Sequence, residues 1–374
     1  MRLVLVSLIV LSCASAFAQN RRTAKPAPNG PPPPPPPAAE MRLAEVRSGQ
    51  LISPVGEPRR VADHKSEFRW DAFVDAQLKI PNKDRAAEVA DRGFTINDGA
   101  LYLAKDFMSM SAHVDLPFEY APAGNGLQFA ASKAQAFINY QHGSPLFVRF
   151  GQYDTFFGVE ANDSRDRFFA DVGLLKLAML PQTHTGVQLG YNVEKLTFRG
   201  QIANPADQGA LGDENIEFAL QGRVDAGTAY GALGLSMFNQ RALPAGSTTE
   251  DKNNFLVDVN GGLSMEKMRF DGELVFKKTA GQDKSGIGLG LFSTLRLGEQ
   301  LDGGVRLEYG KDITMTAGGN TGAAESVFAL SLGPSYRWLP DATLRGDFSF
   351  ATVKIPNADS LTIFGLTASL VADL

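Results

Sequence analysis

From Phe68 to its last residue, the chain consists of short segments in which apolar and polar residues alternate. In the clearest of them, apolar residues occupy every even position from Met108 to Tyr120, and most of the odd positions between are polar. Successive side chains of a strand point to opposite faces, so such a segment has one apolar and one polar face. A strand of a closed barrel in lipid needs this pattern, with hydrocarbon outside and a polar lumen inside. The alternation therefore predicts an all-β protein, an antiparallel transmembrane β-barrel.

About sixteen such segments can be counted, within a range of about 14 to 18. An even number suits a barrel whose two chain ends lie on one side of the membrane. The connections are alternately short and long, which predicts periplasmic turns and polar extracellular loops. The longest loop is expected at 151–185, and another at 311–325. The segments are centred near Val74, Leu101, Val114, Phe137, Val148, Leu189, Phe198, Phe218, Leu235, Val257, Leu274, Leu291, Leu307, Leu330, Phe348 and Leu370.

Composition excludes several other classes of protein. The 374 residues include 38 Gly and carry a formal net charge of -5, and no stretch after the leader is apolar enough for a membrane-spanning helix. The mild charge and the lack of a basic stripe argue against nucleic acid as a partner. The single cysteine, Cys13, lies in the leader, so the mature chain is expected to have no disulfide, no cysteine-based metal site and no cofactor.

Residues 1–18 have the features of a secretory signal peptide. Arg2 precedes an apolar run at 3–11, and Ala16-Phe17-Ala18 forms a cleavage site before Gln19. This predicts export to the outer membrane of a Gram-negative cell. In an alternative that stays open, 10–13 is a lipoprotein box and Cys13 is acylated.

Residues 19–66 differ in composition from the rest of the chain, and include seven consecutive prolines from Pro31 to Pro37. Such a run adopts polyproline II and has no core. The prediction is a disordered periplasmic arm before a barrel at 67–374. A contact of this arm with peptidoglycan or with a periplasmic partner is a sharper alternative.

The longest loop carries the most distinctive motifs, and these resemble a known family. A strand ends in Gly-Gln-Tyr, followed by Phe-Gly-x-Glu and by an Arg-containing segment, which is similar to the OmpL-like β-barrel porins and more distantly to the phosphate-selective porins. The resemblance covers the chain from about Phe68 onward and implies passive diffusion of small hydrophilic solutes across the outer membrane. The motifs lie at 151–153, 157–160 and 165–167, with supporting matches at 74–76 and 186–191.

In porins of this architecture, a long loop commonly folds into the lumen and narrows it. The resemblance implies that Phe156, Phe157, Phe168 and Phe169 pack against the wall and that the loop charges set ion preference. Alternatively the loop faces outward and its aromatic residues cap the barrel rim. The candidate constriction residues are Asp154, Glu160, Asp163, Arg165, Asp166 and Arg167.

Charges predicted to face the lumen have nearly balanced signs. A phosphate-selective pore would need a ladder of Lys or Arg, and none is visible, so we expect weak cation preference or none. Ion pairing across the lumen is the simpler role for these residues. They include Arg69, Asp71, Asp75, Asp115, Glu119, Arg149, Arg199 and Arg223.

Two other classes compete with a porin. A barrel enzyme would need a nucleophile beside a base, and only His113 is well placed, with Ser109, Ser111 and Asp115 on the same face. Side chains on one face of a strand are about 7 Å apart, which predicts no direct Ser-His bond and argues against an enzyme. A non-conducting structural or adhesive barrel remains an alternative.

The outer face is expected to contact outer-membrane lipids, with aromatic residues at the headgroups. Homotrimers would need a flatter apolar wall, for which 229–237 and 286–297 are candidates. The predicted aromatic girdle consists of Trp70, Phe118, Tyr120, Tyr191, Phe276, Tyr309, Tyr336, Trp338 and Phe364.

Overall fold

The computed structural model describes residues 68–81, 93–107, 110–121, 126–130, 133–141, 145–161, 163–193, 196–204, 217–225, 232–242, 252–265, 267–279, 284–317, 320–356 and 360–373. The predicted signal peptide, the lipidation alternative at Cys13 and the Pro-rich arm lie outside the described residues. No helix in the described part is long and apolar enough to cross a membrane.

A single antiparallel sheet contains all the strand segments of the described chain. Its segments are β1 (Phe68–Pro81), β2 (Gly93–Phe107), β3 (Met110–Ala121), β4 (Gly126–Phe129), β5 (Gln135–Tyr140), β6 (Leu146–Asp154), β7 (Thr183–Val193), β8 (Leu196–Ala203), β9 (Glu217–Asp225), β10 (Ala232–Ala242), β11 (Lys252–Ser264), β12 (Met268–Lys278), β13 (Ser285–Arg296), β14 (Leu301–Ala317), β15 (Asn320–Leu339), β16 (Ala342–Lys354) and β17 (Leu361–Asp373).

The sheet closes into a barrel because β1 pairs with β17 as well as with β2. Both β4 and β5 pair with β3, β4 along Phe118–Ala121 and β5 along Met110–Asp115, so they share one strand position. Seventeen segments therefore make sixteen strand positions. This confirms the predicted antiparallel barrel of about sixteen strands, and every predicted segment centre lies within a strand.

One predicted loop is wrong. Residues 311–325 were expected to form a long extracellular connection, but β14 and β15 continue as a paired hairpin to Ala317 and Asn320. The alternation of apolar residues reports contact with lipid, whereas backbone pairing continues wherever two strands remain adjacent. A ladder that extends beyond the hydrocarbon therefore loses the sequence signal while keeping its hydrogen bonds.

Burial in this barrel is the reverse of burial in a soluble domain. Trp70 and Leu233 on the outer face are 63% and 62% exposed, whereas Asp75 and Asp258 on the inner face are 0% exposed. Outward side chains meet lipid, which explains why large apolar residues remain on the surface. The buried polar residues face the lumen, where another part of the chain covers them.

Gly151 in β6 lies just before the longest loop and has a φ of 130°. A Cβ at this position would lie 2.2 Å from the Ala136 carbonyl oxygen, a backbone atom that a rotamer change cannot move away. We expect Gly151→Ala to lower the free energy of unfolding by about 1 to 3 kcal/mol, because the backbone strain cannot relax. Urea unfolding in lipid vesicles, followed by tryptophan fluorescence, measures the change.

The matched control is Gly298→Ala. A Cβ at Gly298 would have no heavy atom within 4 Å, so this substitution is expected to leave the unfolding midpoint unchanged. Equal effects at the two positions would contradict the argument from close backbone approach.

Candidate functional site in the barrel lumen

Residues 155–182, called the lumen segment below, connect β6 to β7. The two ends of the segment are held together, since the Thr155 amide donates to the Gln182 carbonyl over 2.9 Å. The segment contains one 3₁₀ turn, Ser164–Asp166, and one short helix, α1 (Leu174–Ala178). Most of its large apolar side chains are fully buried. They are buried against lumen-facing residues of the strands, which places the segment inside the barrel.

The start of the segment contacts the wall formed by β9 to β11. The Phe156 carbonyl accepts a hydrogen bond from Gln221 Nε2 over 2.9 Å. The Gly158 amide donates to the Asp258 carboxylate over 2.8 Å. The Phe157 ring packs edge-on against Phe238, with ring centroids 5.5 Å apart. Backbone groups of an irregular segment need such partners once they leave water.

A buried guanidinium fixes the middle of the segment to β14. Arg306 Nη1 lies 3.0 Å from Glu160 Oε1 of the segment, and Arg306 Nε lies 3.4 Å from Glu308 Oε2 of the wall. Nη2 lies 3.6 Å from Asp347 on β16, and the guanidinium stacks on the Phe169 ring at 4.7 Å from its centroid. Removing one partner from such a buried network leaves charges unpaired, which makes the network sensitive to substitution.

Two of these carboxylates also hold the first turn of α1. The amides of Leu174 and Leu175 donate to Glu308, each over 2.9 Å, and the Gly173 amide donates to Glu160 over 2.6 Å. These amides have no partner inside the helix, so the carboxylates satisfy donors that would otherwise be unpaired. The buried Leu175 side chain packs onto β13, the strand next to β14.

The glycines of β13 make room for α1. A Cβ at Gly288 would lie 2.5 Å from Leu175 Cδ2 and 2.7 Å from the sulfur of Met179. Gly286, Gly288 and Gly290 are buried on the lumen side, while Ile287 and Leu289 between them are exposed outward. The stretch 286–297 was a candidate for a flat outer wall. Its glycines also form a lumen surface against which α1 packs.

The 3₁₀ turn contacts the opposite wall, at the seam where β1 meets β17. Arg165 Nη1 lies 2.8 Å from Asp71 on β1 and 3.3 Å from Asp373 on β17. Its guanidinium lies over the rings of Phe73 and Tyr102, at 5.2 and 4.9 Å. Such cation-π contacts add to the ion pairs.

Hydrogen bonds from neighbouring strands hold the same turn. Tyr102 Oη donates to Asp163 over 2.7 Å, and the Ser164 amide donates to Asp98 over 3.1 Å. Arg345 on β16 donates to the carbonyls of Ser164 and Arg165. Together with the contacts at β9 to β14, these bonds show that the lumen segment contacts both sides of the barrel.

The structure places the candidate constriction residues as follows. Asp154 is the last residue of β6, and its amide donates to Gln135 Oε1 over 3.0 Å. Glu160 and Arg167 are buried within the lumen segment, and Arg167 Nη2 lies 4.0 Å from Asp98. Asp163, Arg165 and Asp166 are partly exposed.

The predicted lumen charges fall into two groups. Asp75, Arg149 and Arg199 are buried, whereas Asp71, Asp115 and Glu119 are partly exposed. Arg69 and Arg223 lie in β1 and β9, but their side chains are outside the described part of the structure. Sequence reasoning missed Asp98 and Tyr102, although they share one face of β2 with Ala100 and Ala104, and this alternation could have revealed them.

The expectation that no Ser-His bond could form within one strand is wrong. His113 Nε2 lies 2.9 Å from Ser111 Oγ, and the His113 ring stacks on Phe137 with centroids 4.8 Å apart. The spacing of about 7 Å applies to backbone positions, whereas side chains lean along the strand and shorten the gap. No group of three or more His, Cys, Asp or Glu side chains in the described part could hold a metal ion.

A closed sixteen-strand barrel with an apolar outer face, a polar inner face and a long segment folded between them defines the class of porin-like outer-membrane β-barrels. Within this class, the chain belongs to the family described as Putative beta-barrel porin-2, OmpL-like, whose profile matches residues 68–372. This confirms the resemblance found in the sequence. Porins of this kind are outer-membrane proteins of Gram-negative bacteria.

Solved porin structures share the fold. The anion-selective porin from Comamonas acidovorans is 13% identical, with a TM-score of 0.57 over 83% of this chain and 100% of that one. The outer membrane channel DcaP of Acinetobacter baumannii is 11% identical, with a TM-score of 0.56 over 86% of this chain and 100% of that one. In-vitro folded OmpT, an outer membrane protein of Vibrio cholerae, is 11% identical, with a TM-score of 0.54 over 85% of this chain and 100% of that one.

A search of curated proteins found no sequence match. At the low identities above, the solved structures establish the fold alone. The family assignment supports a general porin role.

Proposed function

We propose that this protein is an outer-membrane diffusion porin for small hydrophilic solutes and ions, and that the lumen segment narrows its pore. A barrel of sixteen strands leaves an aqueous channel when its interior is not filled. The observation that carries the proposal is the attachment of the segment to both walls, through Gln221 and Asp258 on one side and Asp71 and Asp373 on the other. Any solute that crosses the barrel must pass beside the lumen segment.

The lumen charges predicted from the sequence nearly cancel, which supports a weak charge preference rather than a strong one. Arg269, for example, lies 2.8 Å from Asp271, and Lys133 lies 3.1 Å from Glu119. Paired charges of opposite sign produce a small net field at a distance. A ladder of unopposed cations, which a phosphate-selective pore needs, has no counterpart in such an arrangement.

A planar bilayer tests the proposal. We expect refolded mature protein to produce steady single-channel current steps in potassium chloride, because water and ions can pass beside the lumen segment. A control reconstitution with heat-unfolded protein should produce none. A folded barrel that stays silent would contradict the diffusion-pore function.

The second candidate function, a non-conducting structural or adhesive barrel, has one observation in its favour. Asp258, Asp347 and Arg306, all on the inner wall, are 0 to 3% exposed, so the segment excludes water from much of the lumen. The bilayer recording separates the two candidates directly, because only an open path carries current.

Assembly and targeting complete the proposal. One OmpT structure from Vibrio cholerae, 12% identical to this chain, is described as a trimer form. We propose that this protein also forms a homotrimer. Large outward side chains on β10 and β13, such as Leu233, Leu235 and Leu291, supply apolar surface for lipid or for a neighbouring copy. Export through residues 1–18 and contact of the arm at 19–66 with peptidoglycan belong to the same proposal.

A further inference from the structure

The lumen is divided into a dry and a wet sector. A side chain that faces the inside of a closed barrel can reach water only through the lumen. On the walls from β8 to β16, most of the described charged lumen residues away from the strand ends are buried. This dry sector includes Arg199, Asp258, Asp271, Glu273, Arg306, Glu308, Arg345 and Asp347.

The wet sector follows β3. Ser111, His113, Asp115 and Glu119 all face the lumen and all are partly exposed. At about 3.3 Å per residue, the eight steps from Ser111 to Glu119 cover about 26 Å of strand, close to the thickness of the hydrocarbon core. Water therefore contacts this wall along most of its length.

Further partly exposed charges lie on other parts of the wall and on the lumen segment, although Asp75 on β1 and Asp98 on β2 are buried. Asp71 and Lys79 lie on β1 and Asp373 ends β17, while Lys133 lies between β4 and β5 and bonds to Glu119. The lumen segment contributes Asp163, Arg165, Asp166 and Asp171. The wet sector is defined as these eight residues together with the four on β3. It thus has charges on the wall and on the segment that faces it.

The signs of these charges are not balanced. Seven are carboxylates, namely Asp71, Asp115, Glu119, Asp163, Asp166, Asp171 and Asp373, and three are cations, namely Lys79, Lys133 and Arg165, which leaves an excess of four negative charges. Each cation lies within an ion pair: Lys79 is 3.3 Å from Asp171, Lys133 is 3.1 Å from Glu119, and Arg165 is 2.8 Å from Asp71. Among the described residues of the wet sector, the near balance predicted for the lumen charges therefore does not hold.

We infer that solutes cross this barrel along the wet sector and that its excess carboxylates select cations. The inference rests on the proposed diffusion-pore function. A narrow path between low-dielectric walls of one net sign concentrates the opposite ion. The charges of the dry sector are buried away from water, and some are opposed at close range: Arg306 lies within 3.6 Å of Glu160, Glu308 and Asp347, and Asp271 lies 2.8 Å from Arg269.

Reversal potentials in a potassium chloride gradient across a planar bilayer test the inference. For the full mature chain near 0.1 M salt, we expect potassium to permeate about 3- to 10-fold better than chloride. Screening at 1 M salt should bring this ratio towards one. The variant Asp115→Asn with Glu119→Gln preserves side-chain size, and we expect it to lower the ratio by about threefold or more.

The matched control is Glu325→Gln. Glu325 pairs with Lys354 over 2.8 Å near the extracellular end of β15, outside the wet sector, so the same type of substitution there should leave the ratio unchanged. Heat-modifiable migration on gels establishes that each variant is folded. If the Asp115/Glu119 variant does not fold, Asp166→Asn on the lumen segment provides the same test.

The outcomes separate this inference from the proposed function. Current steps with a cation preference that falls in the wet-sector variant support both. Current steps with an anion preference, or with a ratio that the variant leaves unchanged, overturn the inference and leave the diffusion pore standing. A folded barrel without current overturns both.

Discussion

Deletion of residues 156–169 is expected to raise single-channel conductance by about threefold or more. These residues include the parts of the lumen segment that contact β9, β11, β1 and β17. Without them a sixteen-strand barrel regains much of its aqueous cross-section. The barrel itself should still close, because β6 and β7 remain paired from Leu146 to Asp154. Single-channel recordings at fixed voltage measure the change.

A shorter deletion elsewhere controls for the loss of chain. Removing residues 316–321 shortens the β14–β15 hairpin and leaves Met315 and Gly322 as a two-residue turn after the Thr314 to Ala323 pair. The conductance of this variant should equal that of the full chain. A similar increase in both variants would assign the effect to general loosening of the barrel, and no increase in either would contradict narrowing by the segment.

Arg306→Ala is expected to destabilise the protein more than any other single charge removal in the described part. The guanidinium is surrounded by Glu160, Glu308 and Asp347, and it also donates to the Asp171 carbonyl over 3.0 Å. Its removal leaves buried carboxylates facing one another without a cation. Breaking a buried pair in this way costs about 3 to 5 kcal/mol. Urea unfolding in lipid vesicles measures the loss.

The control for Arg306 is Arg296→Ala. Arg296 lies at the end of β13, with its side chain 46% exposed and 3.9 Å from Asp302. Exposed pairs contribute at most about 1 kcal/mol, so this variant should unfold close to the midpoint of the wild type. Arg306→Ala combined with Glu160→Gln should recover part of the loss if the unpaired carboxylates cause it. Equal effects of Arg306→Ala and Arg296→Ala would contradict the role of the buried network.

The strands could be predicted from sequence because lipid acts on each residue separately. Trp70, Leu220 and Leu233 are apolar since each side chain must be soluble in hydrocarbon, whatever its neighbours are. The same alternation also assigned Asp75, Arg149 and Arg199 to the inner face. It failed at 311–325, where the ladder leaves the lipid and the constraint on side chains ends while the pairing of β14 and β15 continues.

The lumen could be predicted only in outline. The residues that fill it were recognised as a charged and aromatic loop, yet the partners of Glu160 and Arg165 lie 146 and 94 positions away along the chain. Barrel closure brings such distant residues together, and no local sequence pattern predicts these contacts. The Ser111–His113 bond was missed for a related reason, since backbone spacing was used where side-chain direction decides the distance.

The sequence by itself determined the membrane-spanning barrel, its approximate number of strands and the face on which most strand residues lie, because the contrast between lipid and water acts locally with a period of two. Only the tertiary structure decided which lumen charges remain in water and which are sealed. That division depends on where the lumen segment packs against Gln221, Arg306 and Asp71. Contacts between distant parts of the chain depend on the closed three-dimensional arrangement, and the same composition with another packing of the segment would leave a different set of charges in contact with water.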